Sequence, residues 1–130
     1  MKQKIGMLVM LFVFTGCFSN DYKGKHIFSS TENFSINATV NRTDKKANNY
    51  ADVVIHLFDK KGIKISELNS EAGDFSKWTI GWTKTGDTIV IQSSDIGNKS
   101  LIIKNNQLVQ IKTTESINER AEWLKSKKYD

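Results

Sequence analysis

Trp78-Thr79-Ile80-Gly81-Trp82, followed by Thr85-Gly86-Asp87 and then Thr88-Ile89-Val90-Ile91-Gln92, is the stretch on which the fold turns. Trp78, Ile80 and Trp82 recur at every second position, the period that places side chains on one face of a strand. Ser94-Asp95-Ile96-Gly97-Asn98 supplies the next turn and Leu101-Ile102-Ile103 the next strand; Asn105-Asn106 makes a two-residue turn into Leu108-Val109-Gln110-Ile111. Four strands joined this tightly form one sheet in chain order.

The same grammar extends toward the N-terminus. Phe34, Ile36, Ala38 and Val40 alternate with Ser35, Asn37 and Thr39, which reads as a strand with one wet face, and residues 41–50 are a polar loop. Residues 53–58 are nearly all apolar, and Asp59-Lys60-Lys61-Gly62 turns them back into Ile63-Lys64-Ile65, with Gly62 free to take a positive φ. At the C-terminus the period changes. Ile117, Ala121 and Leu124 recur at helical spacing and Ser116 with Glu119 makes a capping box, so a helix is expected over about 116–127, with Lys125, Lys127 and Lys128 in or just after its last turn. The fold class is mainly β: an antiparallel meander, as a sandwich, a small barrel or a curved sheet, with one C-terminal helix.

The first seventeen residues carry a different message. Lys2 and Lys4 precede an apolar stretch over residues 5–14, broken only by Gly6, and Phe14-Thr15-Gly16-Cys17 closes it. This is the layout of a secretory signal, and the apolar stretch is too short for a membrane span of about 20 residues. Thr15-Gly16-Cys17 resembles the lipobox of bacterial lipoproteins, with Phe14 standing where Leu is commoner. The resemblance implies cleavage before Cys17, a covalent diacylglyceryl group on its sulfur and an acyl chain on its new amine, with no other cofactor. It also implies a cell-envelope, lipid-anchored location: the outer membrane facing the periplasm if the cell is Gram-negative, since Phe18 replaces the Asp that signals inner-membrane retention. Residues 1–16 then form the signal, residues 17–24 a short lipidated tether, and residues 25–130 a single β-rich domain.

Composition narrows the partners. The 130-residue chain has a formal charge of +5, one cysteine and no proline. Loss of Lys2 and Lys4 lowers that charge to about +3, with Lys and acidic residues interspersed, which is a solvated surface and excludes a nucleic-acid footprint. With Cys17 acylated, no thiol is left for a disulfide, so stability rests on packing and backbone pairing.

Trp78, Trp82, Asp87, Ser93, Ser94 and Asp95 are the densest group of unusual residues. Trp78, Trp82, Asp87 and Asp95 are the candidate binding face, although an inward Trp-x-Ile-x-Trp face and turn-forming Asp residues explain the same pattern. His26 and His56 show no zinc spacing, no Gly-x-Ser-x-Gly elbow is present, and no catalytic or metal-binding residues are assigned. The glycosylation-type triplets at Asn33, Asn37, Asn41 and Asn98 are inert in a bacterium. The expected role is non-enzymatic: the chain is held at the membrane through its anchor and binds another protein, as an assembly accessory or as an inhibitor or immunity-type factor. The alternative is a carrier of a small apolar ligand with Trp78 and Trp82 lining its cavity. A third reading, an enzyme acting on envelope glycans, requires Asp87 and Asp95 to converge on an open cleft.

Overall fold

The computed structural model describes residues 21–42 and 51–130. The leader, Cys17 and most of the polar loop expected at 41–50 lie outside those residues. In chain order come β1 (Tyr22–Lys23), β2 (Ile27–Phe28), β3 (Ser35–Val40), β4 (Asp52–Phe58), β5 (Lys64–Gly73), β6 (Trp78–Trp82), β7 (Ile89–Ser93), β8 (Gly97–Lys104), β9 (Gln107–Ile111) and α1 (Glu115–Tyr129).

All strand pairs are antiparallel, in two sheets. The first runs β1-β3-β4-β5, with β2 also on β3, and the second runs β6-β7-β8-β9 in chain order, as the sequence predicts. Neither sheet closes, so of the three architectures expected the barrel is excluded. Ile36, Ala38, Val40, Val53, Ile55 and Leu57 of the first sheet share one core with Trp78, Ile80, Trp82, Ile89, Ile91 and Leu101 of the second. The two sheets are therefore the layers of a sandwich.

A third layer covers the far face of the second sheet. Val90 packs with Ile117, Ala121 and Leu124 of α1, so β7 is apolar on both sides because both are buried: Ile89 and Ile91 point into the sandwich and Val90 under the helix. Gly81 has a matching reason. A Cβ there would lie 2.6 and 2.8 Å from the Leu124 methyl groups, so the absence of a side chain lets α1 approach β6.

The turns follow their residues. Asn105 and Asn106 both have positive φ, 52° and 60°, the conformation of a tight two-residue hairpin turn. In the β4–β5 turn Gly62 has φ 83°, and Asp59 Oδ1 accepts from the N–H groups of Lys61 and Ile63, each at 2.9 Å.

Several boundaries differ from the sequence reading. Strand pairing begins at Tyr22, opposite Val40, inside the segment read as tether; two exposed residues carry no readable period. β5 continues to Gly73, far beyond Ile65, because its inward positions after Ser66 include Ser70, whose hydroxyl donates to the Val53 carbonyl at 2.6 Å instead of presenting an apolar side chain. The helix starts earlier, at Glu115. Its cap is Thr114, whose Oγ1 accepts from Ile117 N–H at 3.4 Å, while Ser116, the expected cap, turns its own hydroxyl to Thr114 at 3.1 Å. Replacing Thr114 by Ala should lower unfolding stability by about 0.5–2 kcal/mol, while Ser116→Ala should change it by no more than about 0.5 kcal/mol. Gly81→Val, which forces α1 off β6, should cost about 1–3 kcal/mol. Urea unfolding of the three variants checks all of these.

Candidate functional site

β6 is the first strand of its sheet and has a free edge. Ser94 N–H bonds to the Lys77 carbonyl and Thr83 N–H to the Thr88 carbonyl, each at 3.0 Å, so the flanking odd positions face β7. The backbone groups of Trp78, Ile80 and Trp82 consequently point away from β7. Helix α1 takes half of them. The Tyr129 hydroxyl accepts from Trp78 N–H at 2.9 Å and donates to the Trp78 carbonyl at 2.7 Å, the Lys128 ammonium donates to the same carbonyl, and Arg120 Nε donates to the Trp82 carbonyl at 2.8 Å. Ile80, midway, keeps its outward groups toward a groove.

That groove has two connected parts. Tyr22, Lys25 and Ile27 face Trp78 and Lys128 across one of about 330 Å³, and Ile27 and Phe28 face Arg120 and Trp123 across the next, of about 380 Å³. Lys84 and Trp123 continue into a third hollow of about 420 Å³ with Ser116 and Glu119. Trp123 is 45% exposed, with the Arg120 guanidinium 4.1 Å and the Lys127 ammonium 5.4 Å from its ring centroid. The Lys128 ammonium stands 3.6 Å from the Trp78 centroid, and Tyr22 meets Trp78 edge-on at 5.6 Å.

The four residues of the expected binding face are not gathered. Trp78 and Trp82 are buried core residues whose indole N–H groups donate to Asp74 at 3.3 Å and to the Ile27 carbonyl at 2.8 Å. The register that pairs Trp78 with Ser93 and Trp82 with Ile89 sends the Asp95 and Asp87 turns to opposite ends of the sheet. Asp87 accepts from the Thr31 hydroxyl at 2.7 Å. Asp95 accepts from Gly73 N–H at 2.9 Å, from the Ser76 hydroxyl at 3.1 Å and from the Ser93 hydroxyl. The cleft that a glycan-cleaving pair would share is not formed by these two carboxylates.

Both histidines lie on the outer side of the first sheet. His26 Nδ1 is 3.2 Å from the Ser35 hydroxyl and its ring packs 4.4 Å from that of Phe58; His56 Nε2 is 2.6 Å from the Thr39 hydroxyl. Among the described residues no group of three His, Cys, Asp or Glu side chains is placed to hold a metal. Sequence reasoning passed over Trp123, Phe28 and Tyr22. The available signal was Trp123 itself, an indole off the Ile117-Ala121-Leu124 stripe. No family model, curated protein or solved structure matches the chain.

Electrostatics here bears on stability. The hydrogen bond from Arg42 Nε, at 2.7 Å, holds Asp74 below the usual carboxylate range against the opposing effect of burial, with the Trp78 indole N–H adding to it. Burial also works against the Asp95 carboxylate, but the bonds from Ser93, Gly73 and Ser76 outweigh it and its pKa is lowered. Burial, followed by the charge of Lys64, pushes His56 down. A lowered carboxylate pKa gives stability that is full above the unfolded value of about 4 and lost as pH falls through the native value. A lowered His pKa acts in the same direction, starting near the unfolded value of about 6.5, because the unfolded chain takes up the proton first. Unfolding free energy should fall in two stages as pH drops from neutral. His56→Gln should flatten the upper stage and Asp74→Asn the lower, measured by urea titrations across pH.

Proposed function

We propose that this chain is a lipid-anchored bacterial lipoprotein of the cell envelope, in the outer membrane facing the periplasm if the cell is Gram-negative. Its β domain acts without catalysis by binding another protein at the membrane surface, as an assembly accessory or as an inhibitor or immunity-type factor. The observation that carries this reading is Thr15-Gly16-Cys17 directly after the apolar stretch behind Lys2 and Lys4. Two or more acyl chains on Cys17 hold a protein durably at a bilayer, whereas one chain does so marginally.

The domain supports a binding role through the way its reactive side chains are used. Asp74 pairs with Arg42, Asp95 closes its own turn with Ser93 and Ser76, and His56 bonds to Thr39. Each serves the framework. The rival carrier reading draws on the fact that Trp78 and Trp82 each border part of the groove. Native mass spectrometry of the purified protein separates the two, since a carrier arrives with a lipid-sized adduct beyond its own acyl groups.

Radiolabelled palmitate should mark the wild-type protein in the membrane fraction. Cys17→Ser should abolish the label and release the domain from that fraction. In-cell cross-linking should give one dominant protein adduct with wild type and much less with Cys17→Ser. Label that survives the substitution, or wild-type protein found in the cytosol, overturns the assignment.

A further inference from the structure

We propose that the exposed strip formed by Tyr22, Ile27, Phe28 and Trp123 rests on the anionic headgroups of the leaflet that holds Cys17, with Lys25 and Lys84 facing the phosphates. The inference depends on the acylation of Cys17 and adds to it a defined orientation of the domain.

Three observations converge. The first is where exposed apolar bulk collects. Of the eight large hydrophobic side chains left exposed among the described residues, four gather here: Phe28 at 65%, Trp123 across the groove from it at 45%, and Tyr22 and Ile27 on the Phe28 side at 38%, while Ile63, Phe75, Val109 and Tyr129 do not line this strip. They lie along one edge of the molecule, between β1 and β2 on one side and α1 on the other. Apolar side chains gathered in this way mark a surface that meets another phase or partner.

The second observation is chain reach. Tyr22 borders this groove and stands five residues after Cys17, so the intervening chain spans at most about 18 Å. The domain edge that carries the strip is therefore the edge tied to the bilayer, and no rotation of the domain can carry Tyr22 beyond that radius.

The third is chemistry. Aromatic side chains settle at the headgroup level, and basic residues beside them are drawn to anionic lipids. Lys25 and Lys84 have no carboxylate partner among the described residues, while Arg120 and Lys127 stand over the Trp123 ring. The carboxylates nearby include Asp87, which accepts from the Thr31 hydroxyl at 2.7 Å. Asp21 accepts from Arg42 N–H at 3.0 Å, and Glu119 borders the hollow beyond Trp123, at the margin of the strip.

An extended segment of a partner protein, added as a strand to β6, is the competing occupant. It is the weaker fit because Lys128, Tyr129 and Arg120 already hold the outward groups of Trp78 and the outward carbonyl of Trp82. Little beyond Ile80 remains for a new ladder.

The test uses the purified, lipidated protein reconstituted into vesicles of phosphatidylcholine with or without phosphatidylglycerol, each with bromines near the top of the acyl chains. Trp123 emission, taken as the wild-type signal minus that of Trp123→Phe, should be quenched in the anionic vesicles and recover at high salt. The pair Lys25→Glu and Lys84→Glu, together with Phe28→Ser, should remove the quenching while the protein still co-sediments with vesicles. Protein that co-sediments but shows no quenching of Trp123 overturns the docking and leaves the anchor intact. Quenching that ignores lipid charge and salt overturns the headgroup contact. Failure to co-sediment at all overturns anchor and docking together. A photo-cross-linker at position 28 that captures protein rather than lipid in native membranes assigns the strip to a partner and overturns the proposal.

Discussion

The free edge of β6 has to be closed, and the way α1 closes it determines the shape of the molecule. Arg120 reaches the Trp82 carbonyl at one end and Lys128 with Tyr129 reach Trp78 at the other. The two spans match. Eight helical residues from Arg120 to Lys128 rise about 12 Å, and four strand steps from Trp78 to Trp82 cover about 13 Å. Helix and strand therefore run antiparallel with their hydrogen-bonding ends aligned. The alignment requires close approach, which explains Gly81 beneath Leu124, and an apolar underside to the helix, which explains Val90 against Ile117 and Ala121.

The groove is a consequence of that arrangement. A helix held against an edge strand by long basic and phenolic side chains leaves a trough between itself and the opposing sheet, and β2 forms the other wall. The cationic heads of Lys128 and Arg120 are committed to the Trp78 and Trp82 carbonyls, and the same heads lie over the Trp78 and Trp123 rings. Trp123 is one residue class too large and one helical position too far round to join the Ile117-Ala121-Leu124 stripe, so it stays outside, at the rim.

The strands were legible wherever period-2 alternation runs over enough residues, whereas the choice among sandwich, barrel and curved sheet depends on how the two sheets meet. Trp78-Ile80-Trp82 and Ile36-Ala38-Val40 both face the shared core, and the second sheet runs in chain order because each of its turns is short. Legibility failed where the pattern depends on tertiary partners. β1 and β2 are two-residue pairings with exposed side chains, recognisable only against β3. The far half of β5 places Ser70 inward on a carbonyl and Glu71 at φ 67°, which breaks the alternation a reader would follow. The proposed binding residues were close in sequence but lie at the two ends of a hairpin, where proximity in sequence becomes separation in space. The groove was not legible because its walls come from opposite ends of the chain.

Stability without a covalent cross-link imposes a further condition. The only cysteine is Cys17, ahead of the domain, so no disulfide can constrain the unfolded ensemble of the β domain. In place of such a bridge the domain relies on burial on both faces of a single strand. Ile89, Val90 and Ile91 are each no more than 1% exposed, and they divide between two separate apolar clusters, so loosening either covering layer exposes part of β7. The helix is then no appendage to the sandwich. Its removal would uncover Val90 and free the β6 edge at once, converting a protected strand into one able to pair with another chain.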